Sequence, residues 1–184
     1  MNSTTMLWKR LDVPGHDACR LERRDGWWHL EGTAVFRHER AAARLDYHVT
    51  CDEAWRSLHG TIRGFIGPRA ISTDIARTAT GVWTVDGTVV PGLEACLDLD
   101  FGFTPATNIL QTRRCALAVG QSAEVPAAWM DAGDSTLQLL PQHYQRRSDS
   151  AYWYESPTAG YEALLEMAPN GFVKLYPSLW QAED

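Results

Sequence analysis

The stretch of this sequence best equipped for chemistry is LDLDFGFTPATNILQTRR, residues 97–114, which holds two carboxylates at alternate positions, a Thr-Pro, two amides and two arginines. In an extended chain successive side chains point to opposite faces, so Asp98, Asp100, Gly102 and Thr104 share one side and Leu97, Leu99, Phe101 and Phe103 the other. Carboxylates paired in this way could do general acid/base work if burial raised the pKa of one of them. No histidine, serine nucleophile or metal motif stands in a recognisable arrangement around them, which turns the reading toward a clamp between acid and arginine or the rim of a binding site. Burying a carboxylate unpaired is costly, and a bidentate guanidinium offsets much of that cost.

The backbone expected around these groups is a strand, a turn and a return strand. Thr104 stands where an N-cap would and Pro105 at the first helical position, which predicts a short helical turn. If RRCALAV is a continuous strand, Arg113 lies on the face of Cys115 and Leu117, and Arg114 on the polar face as the partner of the aspartates. Asn108 either bonds the backbone of its own turn or offers its amide to a ligand.

Elsewhere, too, two-residue periodicity dominates. RLDYHVTC puts Leu45, Tyr47, Val49 and Cys51 on one face, and WWHLEGTAVF does the same with Trp28, Leu30, Ala34 and Phe36. CALAV reads as a further strand. DEAWRSLHGTI fits a helix through Trp55, Leu58 and Ile62 or a strand through Leu58, Ile62 and Ile66, and is taken as a strand. Asp25-Gly26, Asp86-Gly87 and Asn170-Gly171 fall between such runs and predict three hairpins. ERRDGWWHLEGTA and QRRSDSAYWYESPTA echo each other, as two similar hairpins would. In YWYES, Tyr152 and Tyr154 share one face and Trp153 and Glu155 the other, an arrangement suited to a cross-strand ladder or to stacking on a sugar.

The 184 residues suit one domain large enough to bury a core without disulfides or a metal. A net charge of −6 with no long basic run argues against nucleic acid as a partner. No apolar run has the length of a signal peptide core or a membrane span, so the protein is expected to be cytoplasmic with no transmembrane segment. Cys19, Cys51, Cys96 and Cys115 are scattered and read as buried free thiols, and the six histidines share no metal-ligand spacing. Neither a metal nor a cofactor is expected. Most of the eight tryptophans should pack in the core or on sheet faces.

PGLEACLDLDFGFTPATNILQTRR, then PQHYQRR, YWYES and the closing GFVKLYPSLW, resemble a bacterial family of glycolipid-binding proteins over nearly the whole chain. The resemblance implies an all-β fold, a long antiparallel and strongly curved sheet forming a half-barrel with at most short helical turns, spanning residues 1–184 as a single domain. It also implies binding rather than catalysis, with a lipid or glycolipid held in the apolar concavity and polar contacts at its rim. The positions matching the family's recurrent motif are Asp98, Asp100, Thr104, Asn108, Arg113, Arg114, Gln142, Tyr144, Tyr154 and Glu155. The alternatives are a hydrolase acting on a similar amphiphile through the aspartate pair, and a module for protein interaction.

Overall fold

The computed structural model describes residues 3–183, so the outermost positions of the expected domain lie outside it. The first half of the chain is a meander of β1 (Ser3–Arg10), β2 (Gly15–Arg24), β3 (Trp27–His38), β4 (Ala41–Cys51), β5 (Ser57–Ile66), β6 (Arg69–Arg77), β7 (Trp83–Val85) and β8 (Thr88–Val90). The middle holds β9 (Asp98–Phe101), helix α1 (Asn108–Cys115), β10 (Ser122–Glu124), β11 (Ala127–Met130) and β12 (Gln138–Leu140). A second meander follows, with β13 (His143–Ser148), β14 (Ala151–Ser156), β15 (Tyr161–Met167), β16 (Val173–Tyr176) and β17 (Trp180–Ala182). The class is all-β, as expected.

Fourteen strands form one open antiparallel sheet that begins at β10, runs from β13 through β17 and continues from β1 to β8. The meanders meet where β1 pairs with β17, Trp8 opposite Ala182 and Arg10 opposite Trp180. Strands β12, β11 and β9 form a separate small sheet, with β9 and β11 parallel. The alternation read from the sequence holds: Leu45, Tyr47, Val49 and Cys51 are buried on β4, and Leu30, Ala34 and Phe36 on β3. Strand β5 runs through Ile62 and Ile66, and Trp55 sits in the turn before it. All three expected hairpins form, Asp25-Gly26 and Asp86-Gly87 with both residues at positive φ. The two echoing segments fall on the hairpins β2–β3 and β13–β14.

The sheet must bend sharply, because strands far apart in its order hold the same short strand. Leu99 N–H on β9 donates to Ser57 Oγ at the start of β5 (3.0 Å), and Gln142, just before β13, donates through Nε2 to Asp100 Oδ2 (2.7 Å). Strands β5 and β13 are separated by eight others and would lie on the order of 40 Å apart in a flat sheet. The sheet therefore curls around β9, α1 and β11. Those elements cover much of its inner face with their own side chains, among them Leu99, Phe101, Phe103, Ile109 and Leu110. The expected open apolar concavity is thus largely occupied by the chain itself.

Two local expectations are corrected. Thr104 Oγ1 does accept a bond from Ala106 N–H (3.0 Å), as a cap would, but the continuous helix begins at Asn108 with Thr107 as its N-cap. The segment expected to return as a strand, RRCALAV, is instead the end of α1, closed by Ala116 in the left-handed region and followed by irregular chain. The helix has only two large buried apolar side chains, Ile109 and Leu110. The other two buried members, Asn108 and Gln111, are amides one turn apart, so apolar periodicity could not reveal it.

One close approach fixes the inner wall. At Gly32 on β3 an added Cβ would sit 2.5 Å from Tyr47 Cζ and 2.7 Å from the carbonyl oxygen of Ala18. Tyr47 lies across this bare backbone. Gly32→Ala is therefore expected to push the phenol aside and lower stability by about 1–3 kcal/mol, read as a reduced urea midpoint with an unchanged slope.

Candidate functional site

The ten residues picked out by resemblance do not form a single site. Asp98 and Arg114 form a closed pair. The Asp98 side chain is fully buried, and Arg114 donates from Nε to Oδ1 (2.9 Å) and from Nη2 to Oδ2 (2.6 Å). Burial pushes the Asp98 carboxyl upward and the guanidinium draws it back. The pairing expected between Arg114 and the aspartates thus forms, from a helix rather than a strand.

Asp100, Asn108, Gln142, Tyr144 and Tyr154 lie in one buried polar cluster of two hydrogen-bonded sets, brought together where the Tyr144 and Tyr154 rings pack 4.9 Å apart. Asp100 Oδ1 accepts from Thr107 Oγ1 (2.5 Å) and Oδ2 from Gln142 Nε2, which also reaches the Tyr154 hydroxyl (3.1 Å). Asn108 Nδ2 donates to Tyr144 Oη (2.8 Å), and that hydroxyl donates to Gln111 Oε1 (3.0 Å). Burial raises Asp100 above the usual carboxylate range, with the bonds from Thr107 and Gln142 opposing it.

Arg113 and Glu155 stand apart. Arg113 reaches away from the network to the β15–β16 hairpin, where Nη2 donates to Asn170 O (3.0 Å). Glu155 shares the outer face of β14 with Trp153, as the alternation of YWYES requires, and lies 3.1 Å from His143 Nδ1.

Thr104 belongs to a second cluster, whose central member the sequence reading passed over. Asp17 on β2 is fully buried and accepts from Tyr47 Oη (2.9 and 3.1 Å to its two oxygens) and from Thr104 Oγ1. Burial raises its pKa to about 7, against the hydrogen bonds from Thr104 and Tyr47. The signal was present in the sequence, since Asp17 falls in phase with Cys19 and Leu21, the buried side of β2.

The two clusters flank a cavity of about 280 Å³ inside the curl of the sheet, reached by Asp100, Thr104, Asn108 and Tyr154 of the predicted set. Its walls are aromatic, with Phe101, Trp129, Trp180 and three neighbouring tyrosines, Tyr154, Tyr161 and Tyr176, whose ring centroids lie 5.2–6.1 Å apart. Ser156, the last residue of β14, also lines it. The Ser156 hydroxyl is buried and lies near the Tyr154 hydroxyl but makes no hydrogen bond of normal geometry. A larger hollow, about 960 Å³, lies over the outer face of β1–β5. It is shallow, and its charged side chains are engaged, Arg20 with Glu31, Arg63 with Asp74 and Asp46 with Thr33 and Arg44. The inner cavity is the better candidate because it has enclosing walls and an unsatisfied polar group.

Among the described residues, no group of three or more histidines, cysteines or acids could hold a metal ion, and no helix is long and apolar enough to cross a membrane. Cys19, Cys51, Cys96 and Cys115 are free, the first three buried.

A family described as "Putative glycolipid-binding" matches residues 5–182. The chain belongs to this family. A solved structure of a DUF1089 family protein from Pseudomonas aeruginosa is similar to it, with a TM-score of 0.78 at 26% identity over 98% of this chain and 92% of that one. No curated protein matches. The resemblance carried by DLDFGFTPATN, the following arginines and NGFVKLYP thus agrees with the family match across the fold.

Proposed function

We propose that this glycolipid-binding family member binds the hydroxylated head group of an amphiphile in the inner cavity. The observation that carries the reading is the buried Ser156 hydroxyl without a partner in a cavity of about 280 Å³ walled by aromatic rings. Leaving a buried hydroxyl unsatisfied costs about 1–3 kcal/mol, a cost that a ligand hydroxyl would remove. The tyrosine trio offers ring faces for a sugar, and the Asn108 and Asp100 side chains stand at the same wall. The volume lies just below the usual range of small-molecule sites, about 300–1,000 Å³, and suits a single ring better than a folded acyl chain. The hydrocarbon would lie outside the cavity.

A binding role without turnover is part of this proposal. The aspartate pair that a hydrolase would use is committed, Asp98 to Arg114 and Asp100 to Thr107 and Gln142. The test is calorimetric titration with octyl glucoside below its micellar concentration. Ser156→Leu fills the cavity and removes the orphan hydroxyl, so it is expected to weaken binding by at least about tenfold while leaving the thermal midpoint equal or higher. Unchanged affinity in that variant, or no saturable binding by the wild type, would reject the reading.

A further inference from the structure

The opposite end of the curled sheet carries a second arrangement that the cavity does not use. It is built around Arg113. The guanidinium lies flat on the β15–β16 hairpin, held by its bond to Asn170 O and fitted against Gly171, where a Cβ would stand 3.0 Å from Cζ. Gly171 has φ +93°, so the site depends on glycine twice over, for its backbone and for its missing side chain. Arg113 also helps to balance the carbonyl end of α1. No acid among the described residues lies within ion-pair distance of it, whereas its neighbour Arg114 is bound to Asp98.

A hollow opens on each side of this cation. One, about 500 Å³, is walled by Leu21, Trp28 and Trp55. The other, about 460 Å³, is more polar, with Thr112, Ser150 and Arg146. Arg146 adds positive charge, but its Nη1 and Nε are spent on Leu117 O and Ser148 O, and Asp149 lies 3.4 Å from its Nη2. Among the described residues, Arg113 lines both hollows.

The indoles of Trp28 and Trp55 stack at 4.1 Å and 18°. Trp55 has φ +65°, a backbone region that bulky side chains rarely enter. Asp52 holds it there by accepting from Ala54 N–H and Arg56 N–H, both at 2.9 Å. The turn therefore keeps a half-buried indole pair beside a cation without a counter-acid, in a protein whose net charge is −6. Strain held in this way is a mark of sites that serve a ligand.

We propose that this end of the protein is a second binding site, specific for an anionic amphiphile whose oxyanion meets Arg113 and whose hydrocarbon lies against Leu21, Trp28 and Trp55. A fatty carboxylate and an alkyl phosphate share the required chemistry. The site does not depend on the cavity reading, and either can fail without the other.

The experiment is calorimetric titration of the full chain with monomeric dodecanoate and dodecyl phosphate, set against inorganic phosphate and dodecyl maltoside. Both anionic amphiphiles are expected to bind at least about tenfold more tightly than either control. Arg113→Gln should weaken them by about tenfold or more, and Trp55→Leu should do so for the amphiphiles without an effect on inorganic phosphate. Should Arg113→Gln fail to fold, Arg113→Lys, which keeps the cation but not the planar fork, is expected to give an intermediate loss. Ser156→Leu should leave this binding intact, which separates the site from the cavity. Inorganic phosphate binding as tightly as dodecyl phosphate would mark a simple anion site and overturn the proposal, as would wild-type affinity in Arg113→Gln and Trp55→Leu or the absence of saturable binding.

Discussion

Asp17→Asn is expected to make the protein more stable at pH 8 than the wild type. Asp17 is enclosed by β2, Tyr47 and the chain at Thr104, and burial lifts its carboxyl from 3.8 to about 7. Because the folded pKa lies above the unfolded one, the protonated form is favoured on folding. Stability linked to this group is complete below pH 4 and declines as pH rises through 7. A shift of this size corresponds to about 4 kcal/mol in total, of which about 2–3 kcal/mol falls between pH 5 and pH 8. The amide of asparagine can accept from one hydroxyl and donate to the other, and it carries no charge to desolvate. Urea unfolding of both proteins across that interval should therefore show their stabilities diverging as pH rises. Parallel curves would mean that Asp17 is ionised in the folded state at little cost.

The second large effect has the opposite sign. Arg114→Gln leaves the buried Asp98 carboxylate without its bidentate partner and should cost about 3–5 kcal/mol at neutral pH. With the guanidinium gone, only the weaker pull of the Arg77 charge opposes the upward push of burial, so Asp98 takes up its proton more readily. The deficit should then shrink as pH falls. Adding Asp98→Asn to Arg114→Gln removes the stranded charge and should recover part of the loss. A single variant as stable as the wild type would show that the pair contributes nothing, and a double variant no better than the single would deny that the stranded carboxylate is the cause.

The residues that were legible in the sequence are those whose environment follows from alternation. Tyr47, Leu45 and Val49 turn inward because every second residue of an amphipathic strand must. The same rule placed Glu155 on the outside of β14, away from Tyr154, even though resemblance grouped the two. Asp98 and Arg114 were correctly joined for an energetic reason, the need of a buried carboxylate for a cation, although the backbone bringing them together is helical. Other features were hidden for physical reasons. The buried face of α1 is half amide, so apolar counting cannot see it. Asp17 pairs with residues 30 and 87 positions away, and its partners are fixed by the curl of the sheet, not by local spacing. Ser156, Tyr161 and Tyr176 become neighbours only when β14, β15 and β16 lie side by side.

The seam between β1 and β17 has a consequence for how the chain reaches this form. Each meander consists of hairpins between sequence neighbours, contacts that close quickly because little loop entropy is lost. The ladder that joins them links residues about 170 positions apart, and Trp8 Nε1 reaches across it to the carbonyl oxygen of Val173, 165 positions away (2.7 Å). During synthesis β1 must wait with that edge unpaired until β17 has left the ribosome. Completion of the wall, and with it the enclosure of β9 and α1, therefore rests on contacts of high sequence separation, and it is expected to come late in folding.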